Sequence, residues 1–138
     1  VNIYLDIDGV LVARGRKPAK HLKEFLKQCT DSYPTYWLTT HCKGDPLTAI
    51  QYLSDILDTQ SIELAKRIKP TTWSYSKTDG IDFTAPFLWF DDYLFEYEKE
   101  QLRKHDCYGS WIRVDLQNNL DQLKDITNLL IHSEKAYK

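Results

Sequence analysis

Val1-Asn2-Ile3-Tyr4-Leu5-Asp6-Ile7-Asp8-Gly9-Val10-Leu11 opens the chain and decides its architecture. Ile3, Tyr4 and Leu5 form an unbroken apolar run rather than an alternation, as in a strand covered on both faces of its sheet. Two acids, one residue apart, and a glycine follow at once. Sites in open α/β sheets lie outside the carboxyl ends of the strands, so Asp6 and Asp8 stand where chemistry is expected. Paired carboxylates there suit a metal ion, or a nucleophile beside a proton donor. A plain acidic turn has the same spacing, so the rest of the chain must decide.

Three later stretches bear on it. Tyr36-Trp37-Leu38-Thr39-Thr40 is a second apolar run, ending in hydroxyls. Pro86-Phe87-Leu88-Trp89-Phe90-Asp91-Asp92 is a third, ending in paired acids. Between them Lys77 sits in Trp73-Ser74-Tyr75-Ser76-Lys77-Thr78-Asp79-Gly80-Ile81. The order is Asp-x-Asp, Thr, Lys, Asp-Asp, mostly at strand ends. In that order and context the chain resembles the haloacid dehalogenase (HAD) superfamily of phosphohydrolases and phosphotransferases over residues 1–115. It looks most similar to small HAD domains associated with RNA repair, through its Leu5-Asp6-Ile7-Asp8-Gly9-Val10-Leu11, Trp37-Leu38-Thr39 and Trp89-Phe90-Asp91-Asp92 segments.

The resemblance implies roles. Asp6 would be the nucleophile that becomes an aspartyl-phosphate, and Asp8 the acid and then the base. Asp8 would therefore need a raised pKa, which neighbouring carboxylates supply by like-charge repulsion. Thr39 would donate to a phosphoryl oxygen, with Thr40 as second choice. Lys77 would neutralise phosphoryl charge, ahead of Lys66 and Lys69. The expected metal ligands are the Asp6 carboxylate, the backbone carbonyl of Asp8 and one of the late acidic pair, Asp92 being favoured and Asp91 lying behind it, with the reverse left open. Clustered carboxylates and a phosphate substrate favour Mg²⁺. Gly9, Thr40, His41, Arg14 and Arg16 are the candidate substrate contacts.

The remaining pattern predicts an α/β fold. Expected are a three-layer sandwich with a doubly wound, mainly parallel, Rossmann-like sheet of HAD type, one domain over residues 1–138, and no cap domain in residues 9–38 or 41–76. Pro18 is expected in the first turn of a helix whose stripe is Leu22, Phe25, Leu26 and Cys29. Asp45-Pro46 starts a second helix, with Leu47, Ile50, Leu53 and Leu57 as its buried face. Residues 58–70 read either as a short helix capped by Ser61 or as an edge strand. Phe95 to Lys104 reads as helix and Trp111 to Val114 as strand. Leu120, Leu123, Ile126, Leu129 and Leu130 mark a closing helix. Alternating strands and helices imply parallel pairing through crossovers.

Composition bounds the rest. With 42% hydrophobic and 28% charged residues among 138, the chain is of ordinary globular type. It carries no membrane-length apolar stretch and no signal-peptide pattern before the first strand. Three cysteines without Cys-x-x-Cys spacing fit neither a disulfide framework nor a zinc site, and a reduced, cytoplasmic setting is expected. The net charge of −2 gives no global attraction to nucleic acid. Arg14, Arg16, Lys17, Lys20, Lys23 and Lys27 nevertheless crowd one segment after the first motif. An uncapped site with a cationic rim points to a phosphorylated substrate such as a nucleic-acid end. Receiver domains use similar residues in a different order, with the acidic pair first. A calcium loop would need glycine at its sixth position and Glu at its twelfth. Adjacent His41 and Cys42 point apart on a loop and do not make a thiol nucleophile. The competing reading is a HAD-like module that binds phosphate or metal without turnover.

Overall fold

The computed structural model describes residues 1–136, and its centre is the opening strand β1 (Asn2–Leu5). Two short strands, β2 (Val12–Ala13) and β3 (Lys17–Pro18), form a separate hairpin before helix α1 (Leu22–Ser32). Strand β4 (Thr35–Trp37), helices α2 (Pro46–Ser54) and α3 (Thr59–Ala65), strand β5 (Phe87–Asp91), helix α4 (Glu96–Lys104), strand β6 (Trp111–Arg113) and helix α5 (Gln122–Ala136) follow. The main sheet has four parallel strands in the order β4-β1-β5-β6. The fold is thus α/β and compatible with a Rossmann-like arrangement. Among the described residues no helix is long and apolar enough to cross a membrane.

Consecutive apolar residues in β1 and β5 are explained by burial on both faces. Ile3, Leu5 and Phe90 join a core with Phe25 and Leu26 of α1 and Leu123, Ile126 and Leu130 of α5. Tyr4, Phe87 and Trp89 point the other way, to Leu94 and to Leu102 of α4. Phe25 meets Phe90 edge to face at 5.6 Å. Truncating such a fully buried ring typically costs about 3–5 kcal/mol. Register is tight, with Leu5 opposite both Trp37 and Phe90. The strands therefore end together, and their acids and hydroxyls emerge at one edge.

Several expectations need correction. Pro18 does not begin a helix. Gly15 and Arg16 take positive φ (82° and 56°), which folds the chain back and pairs Val12 with Pro18 and Ala13 with Lys17. Helix α1 starts later, after His21. In α2, Asp45 accepts from the Leu47 N–H as cap and Pro46 is the first residue, but Leu47 itself is exposed and Ala49 and Leu53 are the buried positions. Residues 58–70 supply both alternatives in part. Asp58, rather than Ser61, caps α3, and Lys69 then bridges Tyr36 in parallel along the outer edge of β4. Leu120 and Leu129 of the last stretch face solvent.

Candidate active site

Asp6 leaves β1 at the carboxyl edge of the sheet, its N–H bonded to the Phe90 carbonyl at 3.1 Å. Its Oδ1 accepts from the Ile7 N–H at 2.8 Å, which holds the carboxylate against the backbone. The chain then wraps round the Ile7 carbonyl, which accepts from the N–H groups of Val10, Leu11 and Val12. Gly9 takes φ +85°, and a Cβ there would lie 2.6 Å from Cγ of Asp92. Glycine is required on both counts, backbone conformation and space for Asp92.

Lys77 reaches the same point from a 3₁₀ turn, Lys77–Gly80. A capping box fixes that turn, with Ser76 Oγ accepting from the Thr78 N–H and Asp79 Oδ2 from the Ser76 N–H, each at 3.2 Å. Lys77 Nζ lies 2.7 Å from Asp91 Oδ2 and 3.3 Å from Asp6 Oδ2. Lys66 is exposed and paired with Glu63, and Lys69 sits at the sheet edge, so Lys77 alone of the three lysines enters the site. Burial lowers the Lys77 pKa, but the Asp6 and Asp91 carboxylates outweigh it and raise it overall.

Asp91 is the last residue of β5 and is 2% exposed. Both its oxygens are engaged, Oδ1 by the Asp92 N–H at 2.8 Å and Oδ2 by Lys77. Burial and the Asp6 charge push its carboxyl up to about 9, with Lys77 pulling it back only in part. Asp92, by contrast, is exposed. Oxygens of Asp6, Asp91 and Asp92 lie within 4.8 Å of one another. Three carboxyl groups thus crowd one point around a single ammonium. A hard dication fits that all-oxygen donor set.

Asp8 departs from expectation. Its carboxylate is turned to a group the sequence left scattered, Oδ1 accepting from Tyr52 Oη at 2.7 Å and Oδ2 lying 2.9 Å from His41 Nε2. The His41 and Tyr52 rings stack, centroids 3.8 Å apart, and the Arg16 guanidinium lies 5.5 Å over Tyr52. Burial raises the Asp8 carboxyl, but those hydrogen bonds and the Arg16 charge prevail and hold it below the usual range. The expected upward shift is therefore reversed. Among the described residues the groups that act on Asp8 are two hydrogen-bond partners, His41 and Tyr52, and the Arg16 charge, rather than a repelling carboxylate.

The other candidates are placed as follows. Thr39 is fully buried, and its Oγ1 accepts from the His41 N–H at 3.3 Å. Thr40 is exposed and shares a cleft with Lys77. Arg14 lines a second cleft of about 420 Å³ with Gly9, Asp92 and Arg113. Cys42 is buried with its thiol pKa raised by burial, which leaves it inert. Tyr52, Arg113 and Glu98 were not singled out from sequence. Glu98 is 5% exposed and accepts from the Phe95 N–H at 2.9 Å, so its helix-surface pattern concealed a buried carboxylate. Comparison of the chain with protein-family models, curated proteins and solved structures found no match.

Proposed function

We propose that the protein is a Mg²⁺-dependent phosphomonoesterase of HAD type, acting through a phosphorylated Asp6 on phosphates carried by large substrates such as nucleic-acid ends. The convergence of Asp6, Lys77, Asp91 and Asp92 on one point carries this reading. Asp6 and Asp92 would hold the metal, with the Asp8 carbonyl beside them and Asp91 fixed behind by Lys77. When bound, Mg²⁺ neutralises charge on the phosphoryl oxygens and lowers repulsion toward an anionic nucleophile.

The chain's own groups supply the other requirements of in-line transfer. Asp6, anchored by the Ile7 N–H, attacks phosphorus, and the bond to the leaving oxygen breaks. Lys77 offsets charge on the phosphoryl group. Asp8, taking up a proton from solvent as substrate binds, gives it to the leaving oxygen and then takes one from the water that cleaves the aspartyl-phosphate, releasing inorganic phosphate. Approach of a phosphate dianion raises the Asp8 carboxyl again, by like-charge repulsion, with Tyr52 and His41 keeping it in place. Between the motifs the chain contains the β2–β3 hairpin, α1, α2 and α3, which leaves Asp8 and Asp92 open to solvent and to a bulky substrate.

The test is hydrolysis of p-nitrophenyl phosphate with Mg²⁺. Activity should vanish on chelation with EDTA and in Asp6→Asn. Turnover that survives both refutes the mechanism. The ionised state of Asp8 favours one competing reading, a module that binds phosphate without cleaving it. Orthovanadate binding in the presence of Mg²⁺, without hydrolysis of any phosphomonoester, would establish that module instead.

A further inference from the structure

Lys77 belongs to two surroundings. Its ammonium faces Asp6, and the residue also lines a cleft of about 290 Å³ shared with Thr40, Trp73, Tyr75, Phe95 and Glu98. Tyr97 lines the same cleft and meets Tyr75 edge to face at 5.1 Å. Aromatic residues are ordinarily buried for their area, yet Tyr75 is 75% exposed and Phe95 64% exposed. Phe95 in turn meets the exposed Tyr93 edge to face at 5.1 Å. The rings come from two separate segments, the loop before the 3₁₀ turn and the start of α4, and they converge only beside the phosphoryl site.

We infer that this cleft seats the nucleobase of the nucleotide bearing the scissile phosphate, a substrate assignment that rests on the phosphatase reading above. Open aromatic faces beside a charged groove are how proteins hold unpaired bases, since every base has a π-face. The cleft is at the small end of ligand sites, room for one flat ring system rather than a length of polymer. Its lining is mainly apolar, with the hydroxyls of Thr40 and Ser76 and the carboxyl of Glu98 available to a base edge. Thr40 is exposed at the rim, and the buried Glu98 carboxylate has the acceptors to receive an exocyclic amino group. A phosphotyrosine ring offers no such edge.

Charge outside the cleft agrees. Lys43 stands over the Trp73 ring at 4.6 Å. On the far side of Asp92, the second cleft carries Arg14 and Arg113. Asp92 and Asp115 line that cleft too, Asp115 lying 3.9 Å from Arg113, so Arg14 is the cation there with no acid paired to it among the described residues.

The experiment compares kcat/KM with Mg²⁺ for a short single-stranded oligonucleotide bearing a terminal phosphate, the same oligonucleotide abasic at that nucleotide, and glycerol 2-phosphate. The last is used because p-nitrophenyl phosphate carries a ring of its own. The base-bearing end should exceed the abasic one about tenfold, the usual order for one stacked base. Tyr75→Ala and Phe95→Ala should each cut that ratio severalfold, while Tyr75→Phe preserves it. Equal rates on intact and abasic ends overturn the inference while leaving the phosphatase standing. So does a phosphotyrosine peptide outcompeting every oligonucleotide. If nothing is hydrolysed, the phosphatase reading fails, and titration with adenosine monophosphate still decides the cleft. Quenching of tryptophan fluorescence, lost in Trp73→Phe, supports base binding, and its absence at millimolar nucleotide refutes it.

Discussion

Replacing Gly9 by alanine separates two effects that usually travel together, because Gly15 provides a control. The two glycines have nearly equal φ, +85° and +82°, but a Cβ at Gly15 meets nothing within 4 Å. Forcing an L side chain into this left-handed region costs roughly 1–2 kcal/mol. Each variant should therefore lose about 3–10 °C in Tm. Only Gly9→Ala also strikes Asp92, whose Cγ would be 2.6 Å away. Restoring ordinary carbon contact at about 3.5–4 Å moves that carboxylate by roughly 1 Å. Mg²⁺ holds its oxygens at about 2.0–2.1 Å in near-ideal octahedral geometry, so such a shift is not absorbed. Displacing a ligand's support in this way typically costs about 10–100-fold in metal affinity. Calorimetric Mg²⁺ titration and thermal melts of both variants make the measurement. Gly15→Ala should melt earlier and bind Mg²⁺ as the wild type does, while Gly9→Ala should show both losses. Unchanged Mg²⁺ affinity in Gly9→Ala refutes the argument that Gly9 makes room for a metal-binding Asp92.

Three further outcomes are expected. Lys77→Met leaves Asp6 and Asp91 buried without their cation and should lose about 3–5 kcal/mol in urea unfolding with EDTA, with part of it recovered on adding Mg²⁺; equal stability with and without Lys77 would show that the carboxylates are not coupled through it. Tyr52→Phe removes one donor from Asp8 and should lower kcat for p-nitrophenyl phosphate about tenfold, with little change in KM; an unaltered kcat would show that Asp8 needs no such support. Asp58 caps α3, and the Ser61 N–H first, then its hydroxyl and Lys23, hold its pKa below 3.8. A depressed folded pKa gives stability that is complete above 3.8 and lost as pH falls through the folded value. Asp58→Ala should thus lower Tm at neutral pH, and the deficit should shrink in acid below 3.8; a deficit independent of pH would assign it to the cap geometry alone.

The parts legible in sequence are those fixed by short-range rules. Both-face burial made β1 and β5 readable as unbroken apolar runs, and Asp45-Pro46 announced α2 through cap chemistry. The acids were located because strand ends in such a sheet share one edge. What escaped depended on partners distant along the chain or on conformations residue type does not disclose. The β2–β3 hairpin turns on a positive φ at Arg16, a side chain that seldom adopts one. Tyr52 reads as packing surface on α2 until the fold brings its hydroxyl to Asp8. Trp73, Tyr75 and Phe95 read as scattered aromatics, since nothing local indicates that two segments meet. Periodicity marked Leu47 and Leu129 as buried because it reports which face a residue shares, not how far the neighbouring elements extend to cover it.

Strand β5 has a consequence for what the protein can tolerate. Its neighbours run in parallel on both sides, Phe90 level with Leu5 and Asp91 level with Arg113. Trp89 belongs to one core and Phe90 to the other. Sliding the strand by a single position exchanges its two faces, and with them the burial of Asp91 and the openness of Asp92. The two acids look interchangeable in composition, yet their difference is a property of alignment rather than of side chain. Lengthening the exposed tip between β2 and β3 leaves that alignment alone. One residue added within 87–91 would place an aspartate in the wrong layer and empty the site without touching any of its groups.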